Sequence, residues 1–258
     1  MRTFHFIFGT PRCGSTFLQD RLSRAGIGVY EPTGASAFQG IGAGTNPYAS
    51  LADETHPHLR QHPQCAVVVK EVLDDVLRAY LTSQGHTLTS WVGPALLQQA
   101  RTVWIFREPS AVWRSIRAQG WDQTYHPFET FKTFYRHAMA SYQAMLAAYP
   151  TQVGVVTYER LMHNPAAGFR EVAQFLGLAW QPQQLEGNET RADYYRRVDY
   201  HPAVRTAMEE QDAHRSLAHG PEFGRPKPAL SAQEQQQIEL ALSPVYALAQ
   251  AADILRGA

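Results

Sequence analysis

Phe4-His5-Phe6-Ile7-Phe8 runs directly into Gly9-Thr10-Pro11-Arg12-Cys13-Gly14-Ser15-Thr16, and then into Phe17-Leu18-Gln19-Asp20-Arg21-Leu22. The first segment is aromatic and β-branched and reads as a buried strand. The second is a turn bounded by glycines. The third has apolar residues at helical spacing. A strand, a glycine loop and a helix in that order build an anion cradle, because loop N–H groups and the positive end of the helix dipole converge on one point. The spacing is GxxxxG followed by two hydroxyl residues, one step from the phosphate-loop pattern GxxxxGK[ST]. Ser15 stands where a triphosphatase has its lysine, and the positive charge arrives earlier, at Arg12. The pattern predicts a phosphate-like ligand that is not ordinary Mg-ATP. The plainer reading is a glycine turn between strand and helix that binds nothing.

Outward from this stretch, the chain continues as alternating strands and helices. A helix is expected over about 15–25, with Gly26 as its stop, and a short strand at Ile27-Gly28-Val29-Tyr30 leading to Glu31-Pro32. Residues 33–50 are rich in Gly, Ala, Ser and Thr and read as a loop facing either substrate or solvent. Further strands are expected at 65–69, 102–106 and 153–156, each followed by helix. The clearest helix spans 129–149, where Phe131, Phe134, Tyr135, Ala138, Met139, Tyr142 and Met145 keep helical spacing, a stripe suited to core packing. Asn164-Pro165 opens a helix ending near Gly177. Residues 178–230 read as polar and irregular. Ser231 and Glu234 form a capping box for a last helical stretch, interrupted at Ser243-Pro244.

This alternation predicts an α/β fold: three layers of phosphate-loop type, with a central, mostly parallel sheet flanked by helices. With no internal repeat or linker, we expect a single domain over 1–258. Its core would be 1–177, with 178–258 completing the ligand sites. The 258 residues carry 23 basic and 23 acidic side chains, so a polyelectrolyte partner such as nucleic acid is not expected. Two cysteines, Cys13 and Cys65, make no disulfide framework and fit a reducing, cytoplasmic setting. No apolar run reaches membrane-spanning length, and a signal peptide would have to consume the cradle, so neither is expected. His56, His58 and His62 are interrupted by prolines and lack partners at zinc-like spacing, so no metal site is expected. In open parallel sheets ligands bind at the carboxyl ends of strands. The strand ends here deliver Arg12, Lys70-Glu71, Arg107 and Tyr158-Glu159.

At these positions the chain resembles the sulfotransferases that use 3′-phosphoadenosine 5′-phosphosulfate (PAPS). Thr10-Pro11-Arg12-Cys13-Gly14-Ser15-Thr16-Phe17-Leu18 is similar to that family's 5′-phosphosulfate loop, P-[KR]-[SC]-G-[ST]-[ST]. Arg107-Glu108-Pro109, with Ser115 eight residues after the arginine, resembles the 3′-phosphate signature. Tyr158-Glu159-Arg160-Leu161 resembles the strand-end segment whose tyrosine approaches the adenine. Ala25-Gly26-Ile27, Tyr30-Glu31-Pro32, Val69-Lys70 and Arg191-Ala192-Asp193 look most like bacterial carbohydrate sulfotransferases of the trehalose 2-sulfotransferase type. The chain departs from the cytosolic aryl enzymes. Their strand-end Lys-Thr-His is Lys70-Glu71-Val72 here, and their C-terminal RKGxxG segment is missing.

The resemblance implies a donor site made of Pro11, Arg12, Cys13, Gly14, Ser15, Thr16, Phe17, Arg107, Ser115, Tyr158 and Arg191. Arg196, Arg225 or Lys227 could replace Arg191 as the last cation. It implies PAPS as donor, PAP as product and no metal. Arg12 and Lys70 would stabilise charge in an in-line transfer to a hydroxyl of a sugar, glycolipid or secondary metabolite. Glu31 would be the general base, with Glu71 and, more distantly, His5 as rivals. Cys13 would be the small residue a tight loop needs. A small-molecule kinase and a non-catalytic nucleotide-binding module are the alternatives. The kinase reading suffers from the missing lysine after Gly14. A homodimer is compatible with the sequence.

Overall fold

Alternate residues of the first strand face opposite ways, and the two sides of the molecule are built on that alternation. In a computed structural model, which describes residues 3–25, 27–30, 47–52, 60, 66–123, 126–184, 198–200 and 227–255, β1 is Phe4–Gly9. Phe4, Phe6 and Phe8 pack into one core cluster and Ile7 into the other. The strand is buried throughout. This explains why it reads as a continuous apolar run rather than an alternating one.

The other strands are β2 (Ile27–Tyr30), β3 (Val67–Val72), β4 (Arg101–Phe106), β5 (Val153–Thr157) and β6 (Val198–Tyr200). Among the described residues they form one six-stranded sheet in the order β5-β4-β1-β3-β2-β6. Every pairing is parallel, as the α/β reading anticipates. β1 lies between β3 and β4, so the chain crosses over it between those two strands. Such a crossover opens a crevice at the carboxyl end of the central strands. The register puts Gly9 beside Val72 on one side and Ile105 on the other. Phe106 pairs with Thr157. The loop after Gly9, the residue after Phe106 and the residue after Thr157 therefore emerge together.

Helices cover both faces. On the Phe6 side lie α3 (Asp75–Ser83), α4 (Leu88–Val92), α5 (Pro94–Gln99), α6 (Pro109–Ala118), α7 (Phe128–Ala148), α10 (Ala232–Ala241) and α11 (Ser243–Ala252), with buried side chains from each in the same cluster. On the Ile7 side lie α1 (Ser15–Leu22), α8 (Tyr158–His163) and α9 (Pro165–Leu176). α7 is the expected aromatic helix. Phe131, Phe134, Tyr135, Ala138, Met139, Tyr142 and Met145 are its buried face.

Four details differ from the sequence reading. The first helix ends at Leu22, and residues Ser23–Ala25 tighten into a 3-10 turn. The region read as loop to residue 50 ends in a helix, α2 (Pro47–Ala52). Tyr158-Glu159 begins α8 rather than extending β5. The polar stretch 178–230 contains β6, which pairs with β2 at the sheet edge. A three-residue edge strand with Asp199 at its centre lacks the apolar run that marks a buried strand. His56, His58 and His62 lie outside the described residues, as does Cys65.

Candidate functional site

The loop after β1 is bent by two residues with positive φ. Gly14 has φ 99°, and Arg12 has φ 66°, the only non-glycine residue in the left-handed region among the described residues. A left-handed arginine is uncommon and persists only where its surroundings impose it. At Gly14 the reason is contact: a Cβ there would lie 2.5 Å from Cδ2 of Tyr158. The loop backbone therefore touches the aromatic ring at the end of β5, and only glycine permits it. Gly14 is also the N-cap of α1 and offers no side-chain cap. The first-turn N–H groups of that helix have no intrahelical acceptor, and the N–H and hydroxyl of Ser15 turn to the Cys13 sulfur. No acidic residue stands in that turn, which leaves the dipole's positive end available to an anion.

Side chains from three motifs meet over this loop. Arg12 Nε donates to Ser115 Oγ at 3.0 Å, and its guanidinium lies 5.4 Å above the indole ring of Trp121. Arg107 is 2% exposed. Its Nη1 donates to the Arg12 carbonyl at 3.3 Å, and its Cζ lies 4.7 Å from the Tyr158 ring centre, a cation–π distance. Burial lowers the pKa of Arg107, while Tyr158 and Glu159 oppose that shift. Lys70 lies inside β3, which runs on to Val72 rather than stopping at residue 69 as the sequence suggests. It is 3% exposed and donates from Nζ to Thr16 Oγ1 at 2.9 Å. Thr16 sits where a phosphate-loop enzyme has its metal-binding hydroxyl. Here that hydroxyl accepts from an ammonium.

Lys227 belongs to the same neighbourhood. Burial, followed by the charges of Arg107, Arg114 and Arg12, lowers its pKa to about 8. Its segment is tied to α6 by Arg117 Nη1, which donates to the Ala229 carbonyl at 2.9 Å. Glu234 adds to the tie by accepting from Trp113 Nε1 at 2.7 Å and from Ser231 N at 2.7 Å. The charges of Arg107, Arg114 and Arg12 thus act together on Lys227, while Glu159 and Glu108 partly offset Arg107. A polyanion bound beside these cations would be favoured.

Each residue named from sequence has a definite place or lies outside the described region. Pro11, Cys13, Ser15 and Phe17 are buried in or beside the loop. Phe17 packs edge-on against Phe169. The Cys13 thiol is fully buried, and burial raises its pKa, so it fills space in the loop. Glu31 and Arg191 lie outside the described residues, as do Arg196 and Arg225. Glu71 is 1% exposed; its carboxylate accepts from Tyr48 Oη at 2.8 Å and Val72 N at 3.0 Å. His5 is near the amino end of β1, away from the loop, and burial lowers its pKa to about 4. Sequence reasoning missed Arg114 and Trp121. Arg114 adjoins Ser115 on α6, a signal visible only once Ser115 is singled out. Trp121 follows a helix end and carries no motif. Among the described residues no group of three or more His, Cys, Asp or Glu side chains could hold a metal ion.

Residues 94–182 match the model of the sulfotransferase family. That segment holds Arg107, Ser115 and Tyr158. Among solved structures, mouse sulfotransferase SULT7A1 complexed with PAP superposes with a TM-score of 0.53 at 12% identity, covering 98% of this chain and 88% of that one. The sulfotransferase domain from the Synechococcus PCC 7002 olefin synthase gives a TM-score of 0.46 at 13% identity, covering 93% of this chain and 94% of that one. No curated protein sequence matches the chain. The first of these likenesses establishes the fold. The matched family pattern contains the whole of the Arg107–Ser115 and Tyr158–Pro165 segments.

Proposed function

We propose that this chain, a PAPS-dependent sulfotransferase by the family pattern of residues 94–182 and by its fold, transfers the sulfuryl group of PAPS to a hydroxyl of a small-molecule acceptor. The observation that carries the reading is the Arg12–Ser115 hydrogen bond beside the Arg107–Tyr158 stack. It supports a single anion pocket shared by three motifs far apart in sequence.

PAPS supplies an activated sulfuryl group on a phosphosulfate anhydride, with a 3′-phosphate that a donor site must also hold. The residues present fit such a group. The Gly14 cradle and the open first turn of α1 suit the 5′-phosphosulfate, with Ser15 and Thr16 donating hydroxyls. Arg107, Ser115 and Lys227 suit the 3′-phosphate, and Lys227 is our choice over Arg191 because its field is shared with Arg107 and Arg12. Arg12 sits between the two subsites. Tyr158 would face the adenine end. Lys70, held by Thr16, would neutralise charge growing on the bridging oxygen. Sulfuryl transfer then needs alignment and charge stabilisation, by analogy with phosphoryl transfer.

Glu31 is our candidate base for the acceptor hydroxyl. Glu71 is less suited, because its buried carboxylate already accepts from Tyr48 and Val72. The acceptor class we favour is a carbohydrate, glycolipid or secondary metabolite hydroxyl. That choice, like the likeness to bacterial enzymes of the trehalose 2-sulfotransferase type, rests on Tyr30-Glu31-Pro32 and Arg191-Ala192-Asp193. We place the protein in the cytoplasm as one domain, and a homodimer is compatible with this reading. No helix among the described residues is long and apolar enough to cross a membrane. A kinase reading loses support where Lys70 occupies the Thr16 hydroxyl.

Calorimetric titration with PAP tests the assignment. Arg12→Ala and Arg107→Ala should each weaken binding about ten- to a hundredfold, the scale of a charged hydrogen bond. Glu31→Gln should keep PAP affinity and lose about 10²–10⁴-fold in labelled sulfuryl transfer to a hydroxyl-compound library. Unchanged PAP affinity in both arginine variants would refute the donor site.

A further inference from the structure

One peptide group, the bond between Arg107 and Glu108, is gripped by side chains at both ends. Its carbonyl accepts from Tyr135 Oη at 2.8 Å. Its N–H donates to Glu159 Oε1 at 3.1 Å. The second oxygen of Glu159 accepts from Tyr246 Oη at 2.5 Å. The three gripping residues come from α7, α8 and α11, elements with no sequence proximity to Arg107.

The Arg107 carbonyl is buried and needs a partner, while the Glu108 N–H, at a more exposed point, is held by Glu159. At the exit of a central strand the next turn of helix would ordinarily supply such partners. Here α6 begins at Pro109, and the Glu108 side chain is occupied in capping it through Ser110 N and Ala111 N at 2.9 and 2.8 Å. The backbone of Arg107 and Glu108 is therefore fixed from outside the local chain. Fixing that plane fixes where the Arg107 side chain starts and where α6, with Ser115, sets off. The same Glu159 is next to Tyr158, whose ring lies under the Arg107 guanidinium. One carboxylate thus ties the end of β4, the end of β5 and the last described helix together.

We infer that Tyr135, Glu159 and Tyr246 are positioning residues of the donor site, acting through the Arg107–Glu108 peptide to hold Arg107 over Tyr158. The two phenols suit this task. Burial raises both of their pKa values, so each remains a hydrogen-bond donor at neutral pH. Glu159 also favours the charged form of Arg107 against the cost of its burial. A carboxylate so near an anion site would repel the ligand if it faced it. Held by Glu108 N–H and Tyr246, it instead acts on the arginine.

This inference rests on the donor site proposed above, and a double-mutant cycle separates the two. PAP affinity is measured by calorimetry in wild type, Glu159→Ala, Glu159→Gln and Tyr246→Phe, each also combined with Arg107→Ala. Glu159→Ala should weaken PAP binding about tenfold, and Tyr246→Phe about threefold, as coupled neighbours do. Glu159→Gln keeps an acceptor for Glu108 N–H and should stay within about twofold of wild type. In the Arg107→Ala background all three should fall within about twofold of that single variant, because their effect passes through the arginine. In transfer assays Glu159→Ala should raise KM for PAPS and leave kcat within about twofold. Where Glu159→Ala does not fold, as judged by urea unfolding, Tyr246→Phe is read in the same two backgrounds. Equal losses in both backgrounds, or no loss in either, would overturn the positioning role. A wild-type protein that does not bind PAP would instead overturn the donor-site assignment.

Discussion

Lys227 shows at the scale of one side chain how the proposed donor site would be tuned. Burial and three neighbouring arginines lower its pKa from the usual lysine range to about 8. The sign of the consequence follows from proton counting. Between about pH 8 and pH 10.5 the unfolded chain holds a proton on Lys227 that the folded one has released, so this group makes the unliganded protein more stable as pH rises through that window. Binding runs the other way. In the proposed 3′-phosphate site a phosphate dianion would favour the ammonium, so raising pH through 8 would remove a charge that holds it. PAP affinity should therefore fall several-fold between pH 7 and pH 9.5 by calorimetry. In Lys227→Met the fall over that range should be much smaller. An identical pH profile in the two proteins would separate Lys227 from the site. Arg12 and Gly14 were legible in the sequence because loop spacing announces them. Arg114 and Trp121 were not, since proximity to Arg12 and Lys227 is a tertiary fact with no local pattern.

At the scale of elements, legibility followed burial. β1, β3, β4 and β5 read clearly because both faces of each of these parallel strands are covered and the run stays apolar. α7 read clearly because its aromatic residues recur at helical spacing over 21 residues. Its core weight is testable at Phe134, which is fully buried, packs edge-on to Phe131 at 5.6 Å and faces the His126 ring at 5.2 Å. Phe134→Ala should cost about 3–5 kcal/mol in urea unfolding, the loss of a buried ring plus the cavity it leaves. A cost below about 1 kcal/mol would mean the helix relaxes into the space. β6 and the start of α8 were misread for opposite reasons. β6 has three residues and pairs with β2 among the described strands, so its signal is too short. Tyr158 continues an apolar strand in sequence, yet the backbone turns into helix there, a boundary that periodicity does not mark.

At the scale of the whole molecule, the edge at β5 is closed by a segment far along the chain. Asp253 makes a parallel bridge with Val155, and Ile254 N donates to the Val155 carbonyl at 2.9 Å. The buried Asp253 carboxylate accepts from Thr157 N at 2.8 Å, Thr157 Oγ1 at 2.6 Å and Leu255 N at 2.9 Å. Replacing Asp253 by Ala strands those buried donors, so urea unfolding should register a loss of about 2–3 kcal/mol. Asp253→Asn, which keeps an acceptor oxygen, should recover part of it; equal losses would assign the effect to packing alone. The overall α/β plan was legible from strand and helix alternation, because that alternation dictates a parallel sheet with helices on both faces. The closure at β5 was not, because Asp253 sits in a short polar interruption that resembles any solvated carboxylate.

The position of Asp253 along the chain has a consequence for synthesis. Every described strand of the sheet precedes Asp253–Leu255, so a growing chain displays the outer edge of β5 before its cover has been made. An uncovered strand edge invites pairing with other chains, and domains are made at about 5–20 residues per second. The interval between β5 and its cover is close to a hundred residues, which at that rate amounts to roughly 5–20 s on the ribosome. During those seconds Glu159 also lacks Tyr246, its hydrogen-bond donor from the same late stretch of chain, so the proposed donor site would gain that support only as the edge is covered.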